Sequence, residues 1–338
     1  ESHMIRSSET SSILGGRSNN ITDSEESACF GGDNNIWEAH QCATVGGMFN
    51  TVSGGSRSAI VGGLQNKIYD RANTTANGIQ SFIGGGQNNV ADGSDNAGIM
   101  GGAGHRLESS STAGMIGGVG NELYQSSHSA SLGGASNKVI SAWYSFVAGG
   151  QYNEISGVGF SSLMSSILGG RKNSVILSYY SSINIGEYNT ISGSTGSAVL
   201  AGRHNTISGS HYSSLTAGTG NSLKFSDFSS ISAGRHNLLS GSDDSFINAG
   251  VENEIKNSDG CLVGVGSGNS ISGSDYSSIV GGSTTEIKNS DFSIIGGGSG
   301  NLIQYSTGSS LLGGTSNVIS GNSSVLVGGS ANSVFGDE

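Results

Sequence analysis

The sequence predicts an all-β chain, a parallel β-solenoid of about 20 turns with 16-residue repeats. Three observations carry that expectation. Glycine pairs recur at a fixed spacing, apolar residues recur at two fixed strand positions, and asparagine holds a further position almost without exception.

Composition narrows the choice of architecture. The chain has 338 residues, 59 of them glycine, with no proline, 12% charged residues and a formal net charge of −11. Length alone suggests two globular domains, but the glycine, serine and asparagine bias is uniform, so a single repetitive domain over residues 5–338 is expected. Residues 1–4, Glu-Ser-His-Met, read as a cloning scar, and both ends break off inside the repeats, as expected of an excised segment. Glycine and serine at this level without periodicity would mean disorder, whereas a fixed spacing means a folded array.

The spacing is regular. With the second glycine of each pair, or its equivalent, taken as a mark, the marks run from Gly16, Gly32, Gly47, Gly63, Gly85 and Gly102 to Gly314 and Gly329, twenty in all and mostly 16 residues apart. Two longer intervals, of 22 and 20 residues, place excursions at 69–79 and 157–164. Loops that break a regular coil often carry recognition.

Each repeat is expected to hold two short strands. Three residues before the mark the side chain is apolar in most turns, as at Ile13, Ile60, Ile167, Ile231 and Ile279. Five after it the residue is apolar in all twenty, Trp37, Ile155, Ile207 and Ile271 among them. Such sparse apolar positions do not make an amphipathic helix, and paired glycines penalise one further. Parallel coiling stacks each residue on its counterpart one turn on, so every column becomes a ladder. Three past the mark stands asparagine in eighteen of twenty turns, His105 and Thr285 excepted, where stacked amides can satisfy one another at a bend. Five before it stand small residues, chiefly serines such as Ser11, Ser58, Ser165, Ser213 and Ser277, whose hydroxyls can bond to backbone in a tight corner.

The same columns exclude most chemistry. No histidine recurs beside the serines as a base, so no Ser/His/Asp triad and no catalytic residue is expected. No Gly-Lys-Ser/Thr occurs, so the glycine runs are not phosphate loops. Cys29, Cys42 and Cys261 have neither disulfide-framework nor zinc spacing and read as small packed residues. Scattered Lys and Arg on an acidic chain make a poor nucleic-acid binder, and no run of about 20 apolar residues is present for membrane insertion.

Segments such as NTISGSTGSAVLAGRHNTISGSHYSSLTAG and NVISGNSSVLVGG resemble the YadA-type head repeats of trimeric autotransporter adhesins and the related repeats of phage tail fibres. The resemblance runs over practically the whole chain. It implies a left-handed solenoid, a homotrimer of chains packed side by side, and attachment to a host surface. It also implies an extracellular location, on a bacterial cell surface or on a phage or virus-like particle fibre. The alanine-rich columns of those adhesins are here Asn, Gly or Ile.

A trimer also follows from the residues themselves. Two before the mark, where a coil of two strands points outward, stand large apolar residues including Leu14, Phe30, Val61, Ile83, Met100, Val280 and Leu312. A stripe of that length would be an aggregation hazard on a monomer, and symmetry mates would bury it. In the middle turns the column turns polar, at Asn184, Thr216, Ser232 and Asn248, which reads either as a polar stretch of the trimer axis or as a solvated patch.

The outer edge supplies the binding candidates. Nine past the mark, Asp227, Asp243, Asp259, Asp275 and Asp291 align over consecutive turns, a row that is either hydrated or bridged by Ca2+ or another cation. Ten past it stand Tyr180, Tyr212, Phe228, Tyr276 and Phe292, aromatics that either pack over the loop or against a neighbouring subunit or, with Asp275, suit sugar rings or a protein receptor. A basic set, Arg171/Lys172, Arg203/His204 and Arg235/His236, has Glu187 among it and reads as a solvated salt ladder. The function expected is a non-enzymatic trimeric fibre or adhesin segment, a rigid rod on the order of 95 Å that binds or presents to a host cell surface. Two alternatives are a polysaccharide-degrading phage tailspike, with Asp243 and Asp244 as its best carboxylate pair, and an ice-binding solenoid, which would need a Thr ladder.

Overall fold

A computed structural model describes residues 2–69, 80–157 and 164–336. Among these the fold is all-β without helix, a parallel β-solenoid of about twenty turns with a repeat near 16 residues. Contacts divide it into two compact units, Glu1–Lys172 and Asn173–Glu338. Most of the expected excursions, 70–79 and 158–163, lie outside the described residues.

In the second unit each turn carries one strand of three residues and one of two. Ser174–Ile176 pairs in parallel with Thr190–Ser192, which pairs with Thr206–Ser208, and the ladder continues turn by turn. Ser182–Ile183, Ala198–Val199 and Ser214–Leu215 form the start of the two-residue ladder. The first unit repeats the plan, and Met4–Arg6 there already pairs with Asn20–Thr22. Strand alternation leaves a single inward side chain per strand, so Ile191, Ile207, Val199 and Leu215 are wholly buried between partly exposed neighbours. Burying an Ile or Leu is worth about 1.5–3 kcal/mol, and most turns of the second unit bury two aliphatic side chains.

The polar ladders close the coil. Asn189 Oδ1 accepts the Asn205 backbone N–H at 3.0 Å, while the Asn205 amide donates to the Ala201 and Gly218 carbonyls at 3.2 and 3.0 Å. These amides are buried, and one left unpaired would cost about 1–3 kcal/mol. Gly202 is required by the same close approach: a Cβ there would stand 2.2 Å from the Gly218 oxygen. The serine column bonds as expected, Ser197 Oγ accepting the Ser213 N–H at 3.2 Å and donating to the Ser210 carbonyl at 2.7 Å. A further serine ladder lies eight past the mark, where Ser194 Oγ accepts the Ser210 N–H at 3.2 Å.

Two turns correct the sequence register. The interval from Gly32 to Gly47 is one residue short, and the slip falls between Asp33 and Asn34. Asn34 therefore takes the ladder and Ile36 the core, while Trp37, expected inside, is 50% exposed. In the Gly84-Gly85-Gly86 run the mark is Gly86, since a Cβ on Gly63 would meet its oxygen at 2.1 Å. Ile83, expected on the outward stripe, is consequently buried in the core, and Ala91 replaces Val90 there.

Candidate functional site

The outer corner of the second unit is built from two buried serines bracketing two outward residues. In Ser274-Asp275-Tyr276-Ser277, Ser274 Oγ donates to the Ser272 carbonyl at 2.9 Å and Ser277 Oγ to the Ser290 carbonyl at 2.8 Å. Both legs are thereby fixed, and Tyr276 is held at φ +52°, in the left-handed region. Tyr180, Tyr212, Phe228 and Phe292 share that conformation. A side chain at such a position costs about 1–2 kcal/mol relative to glycine, and the serine ladders hold it in place.

The aspartates have a structural partner. Asp227 Oδ1 accepts the His211 N–H at 2.7 Å, Asp243 that of Asp227 at 2.7 Å, and Asp259 that of Asp243 at 2.8 Å. Asp275 and Asp291 accept from Asp259 and Asp275, each at 2.9 Å. One carboxylate oxygen of each is therefore committed to the backbone of the preceding turn, which offsets like-charge repulsion along the row. Among the described residues no group of three or more His, Cys, Asp or Glu is gathered as a metal cluster.

The aromatic column is exposed but partly spent on itself. Tyr212 and Phe228 stack with centroids 5.3 Å apart and planes 12° from parallel, and Tyr276 and Phe292 repeat this at 5.3 Å and 10°. Each Tyr ring also lies on the glycine of the preceding turn, a Cβ on Gly196 or Gly260 coming within 2.7 Å of it. Ring edges and the outer faces of Phe228 and Phe292 are what the column presents. Tyr180 stands apart, 61% exposed, with Gly196 as its successor.

The basic set is dispersed. Arg203 Nε meets Glu187 at 3.7 Å with both side chains about half exposed, and His204 stacks on Tyr188 at 4.8 Å.

The outward face of the two-residue ladder carries the expected apolar stripe, with an additional rule. In the first unit every turn sets one large apolar residue beside a small one. Leu14, Phe30, Met100, Ile116 and Leu132 stand two before the mark opposite Ser12, Ala28, Gly98, Gly114 and Ala130. Where the large residue moves to the other position, at Phe82 and Phe146, its partner shrinks to Gly84 and Ala148. Leu14 is 67% and Met100 63% exposed. In the second unit Leu200, Val280 and Leu312 continue the stripe, Thr216, Ser232 and Asn248 are exposed, and Asn184 is half-buried.

Three thiols and an imidazole lie inside the coil. Burial pushes the Cys42 and Cys261 thiols up to about 11 and raises Cys29 as well. His105 replaces an asparagine in the ladder; its Nδ1 accepts the Asn121 N–H at 3.2 Å, its Nε2 has no partner, and burial lowers its pKa.

No protein-family model matches the sequence, and no curated protein matches it. Among solved structures, a putative acetyltransferase from Desulfovibrio desulfuricans G20 aligns at 9% identity over 75% of this chain, with a TM-score of 0.13. This chain covers 64% of that protein's length, and a likeness at that level carries no functional argument.

Proposed function

We propose that the chain is a segment of a non-enzymatic, homotrimeric surface fibre whose coils, left-handed by resemblance to adhesin head repeats, hold a binding surface away from the particle or cell that bears it. The observation that carries this reading is the stripe on the first unit, where each turn sets one large apolar side chain beside a small neighbour on the outward face of the two-residue ladder. Solvent-facing residues need no such matching of volume, whereas a packed interface does. Three copies meeting on this face bury it, with Asn184, Thr216, Ser232 and Asn248 as a polar stretch along the axis. The corner that carries the aspartates and aromatics then faces a host glycan or protein receptor outside the cell. Light scattering or native mass spectrometry of the purified chain tests the assembly. Three copies per particle are expected, dissociated by Leu14→Asp combined with Met100→Asp and Ile116→Asp. A stable monomer overturns the reading.

A further inference from the structure

The slip that corrects the register at Asp33 also creates a surface feature. Ile36 fills the core at 0% exposure, so the next residue, Trp37, contributes nothing inside and stands half exposed on the outward face of the three-residue ladder. The register sets Thr22, Trp37 and Ser53 side by side in one column and Asn20, Asn35 and Thr51 in the other. Neighbouring rungs are about 4.8 Å apart. Asn20, Thr22, Asn35, Trp37 and Thr51 line an open concavity of about 410 Å³, within the roughly 300–1,000 Å³ range of small-ligand sites.

The chemistry of this lining is selective. None of the five residues ionises. Thr22 Oγ1 donates to Asn20 Oδ1 at 3.0 Å, which orients the Asn20 amide. Among the described residues, the Asn35 amide, the Thr51 hydroxyl and the Trp37 indole N–H make no hydrogen bond to protein. A large aromatic face thus stands beside an unspent set of amide and hydroxyl groups at rung spacing. A pyranose has one face of C–H groups and a rim of hydroxyls, so it matches both parts. Acidic sugars would instead need an ammonium or guanidinium in the lining and would meet a chain of net charge −11.

We infer that the Trp37 concavity is a binding subsite for a neutral pyranose unit of a glycan, the indole lying against the sugar face while Asn35 and Thr51 hydrogen-bond its hydroxyls. This rests on the surface-attachment reading for the kind of partner, and it uses residues of the first unit alone. The test uses the whole chain on a printed array of neutral and sialylated glycans, together with Trp37→Ala and Trp37→Phe. Binding to neutral glycans is expected, at least tenfold weaker in Trp37→Ala and partly restored in Trp37→Phe. Since the chain has two tryptophans, Trp143→Phe makes Trp37 the sole indole reporter. Titration of an array-positive oligosaccharide should then shift its emission. Trp37 lies outside the core, so the melting temperature of Trp37→Ala is expected to stay near wild type and serves as the folding control. Undiminished array binding by folded Trp37→Ala overturns the subsite and leaves surface attachment standing. Absence of any neutral glycan among the wild-type hits also overturns it, while a monomeric mass overturns the assembly reading separately.

Discussion

Asp259 Oδ1 accepts the backbone N–H of Asp243 at 2.8 Å, one turn before it. The row is held by carboxylate-to-amide bonds, and asparagine can accept the same bond without charge. Replacing Asp227, Asp243, Asp259, Asp275 and Asp291 together by Asn is therefore expected to preserve or raise the melting temperature at low salt, the gain vanishing as salt screens the native repulsion. Replacement by Ala is expected to lower it, by a few tenths to about 1 kcal/mol per site. Calcium and chelator should leave the wild-type melt unchanged. A calcium-dependent rise would instead mean that a cation bridges the row.

Gly196 and Gly193 give a paired experiment on the aromatic corner. Their φ values are +66° and +59°, so Ala at either pays a similar conformational cost, about 1–2 kcal/mol. A Cβ at Gly193 meets nothing within 4 Å, whereas at Gly196 it would come within 2.7 Å of the Tyr212 ring. Denaturant titration should show Gly196→Ala to be the more destabilising. Equal losses would mean that Tyr212 does not rest on that glycine.

His105 sets an acid limit. Its folded pKa lies below its ordinary value of 6.5, so as pH falls the unfolded chain takes up this proton first. The contribution to stability is complete above the unfolded value and declines as pH drops from there toward the folded one. His105→Asn should remove that part of the acid dependence and, by supplying the missing ladder donor, stabilise by about 1 kcal/mol. Parallel pH–stability curves for the two proteins would refute this.

Ser131 occupies a core position between Met115 and Val147, and its buried hydroxyl has no partner. Ser131→Val fills the place with the side chain its neighbours use. A gain of about 1 kcal/mol or more is expected in chemical denaturation. A loss of that size would show that the turn has contracted around serine.

The three cysteines should be silent to a thiol reagent at pH 8 in the folded chain and all react in denaturant. Cys42 and Cys261 also predict an alkaline limit. With folded pKa values near 11, their contribution is complete below the ordinary 9.0 and is lost as pH rises through about 11. Cys261→Ser, which restores the commoner residue of its column, should flatten part of that loss.

Much of this was legible in the sequence because a solenoid converts spacing directly into contact. Asn205, Ser213, Ile207 and Leu14 lie where their columns put them. Trp37 and Ile83 do not, because counting from a glycine assumes that no residue is lost between it and the next fixed column. The chain absorbs its slips beside the glycines, at Asp33 and Gly84, where no core side chain pins the backbone. The aromatic column was legible as exposed, but not that its rings would stack on one another. Left-handed φ at Tyr212 and Phe228 has no residue signature, and it is this conformation that sets the direction of the rings.

The ladders also have a polarity along the chain. For the backbone N–H groups of the buried columns, a completed turn offers the side-chain acceptor and the following turn brings the donor: Asn189 receives Asn205, Ser194 receives Ser210, Ser197 receives Ser213. In the aspartate row the order reverses, since the N–H of Asp243 stays open until Asp259 arrives. A coil emerging N-terminus first thus presents ready acceptors to the column N–H groups of each new turn on the inside, while the N–H groups of the aspartate row wait one repeat for theirs.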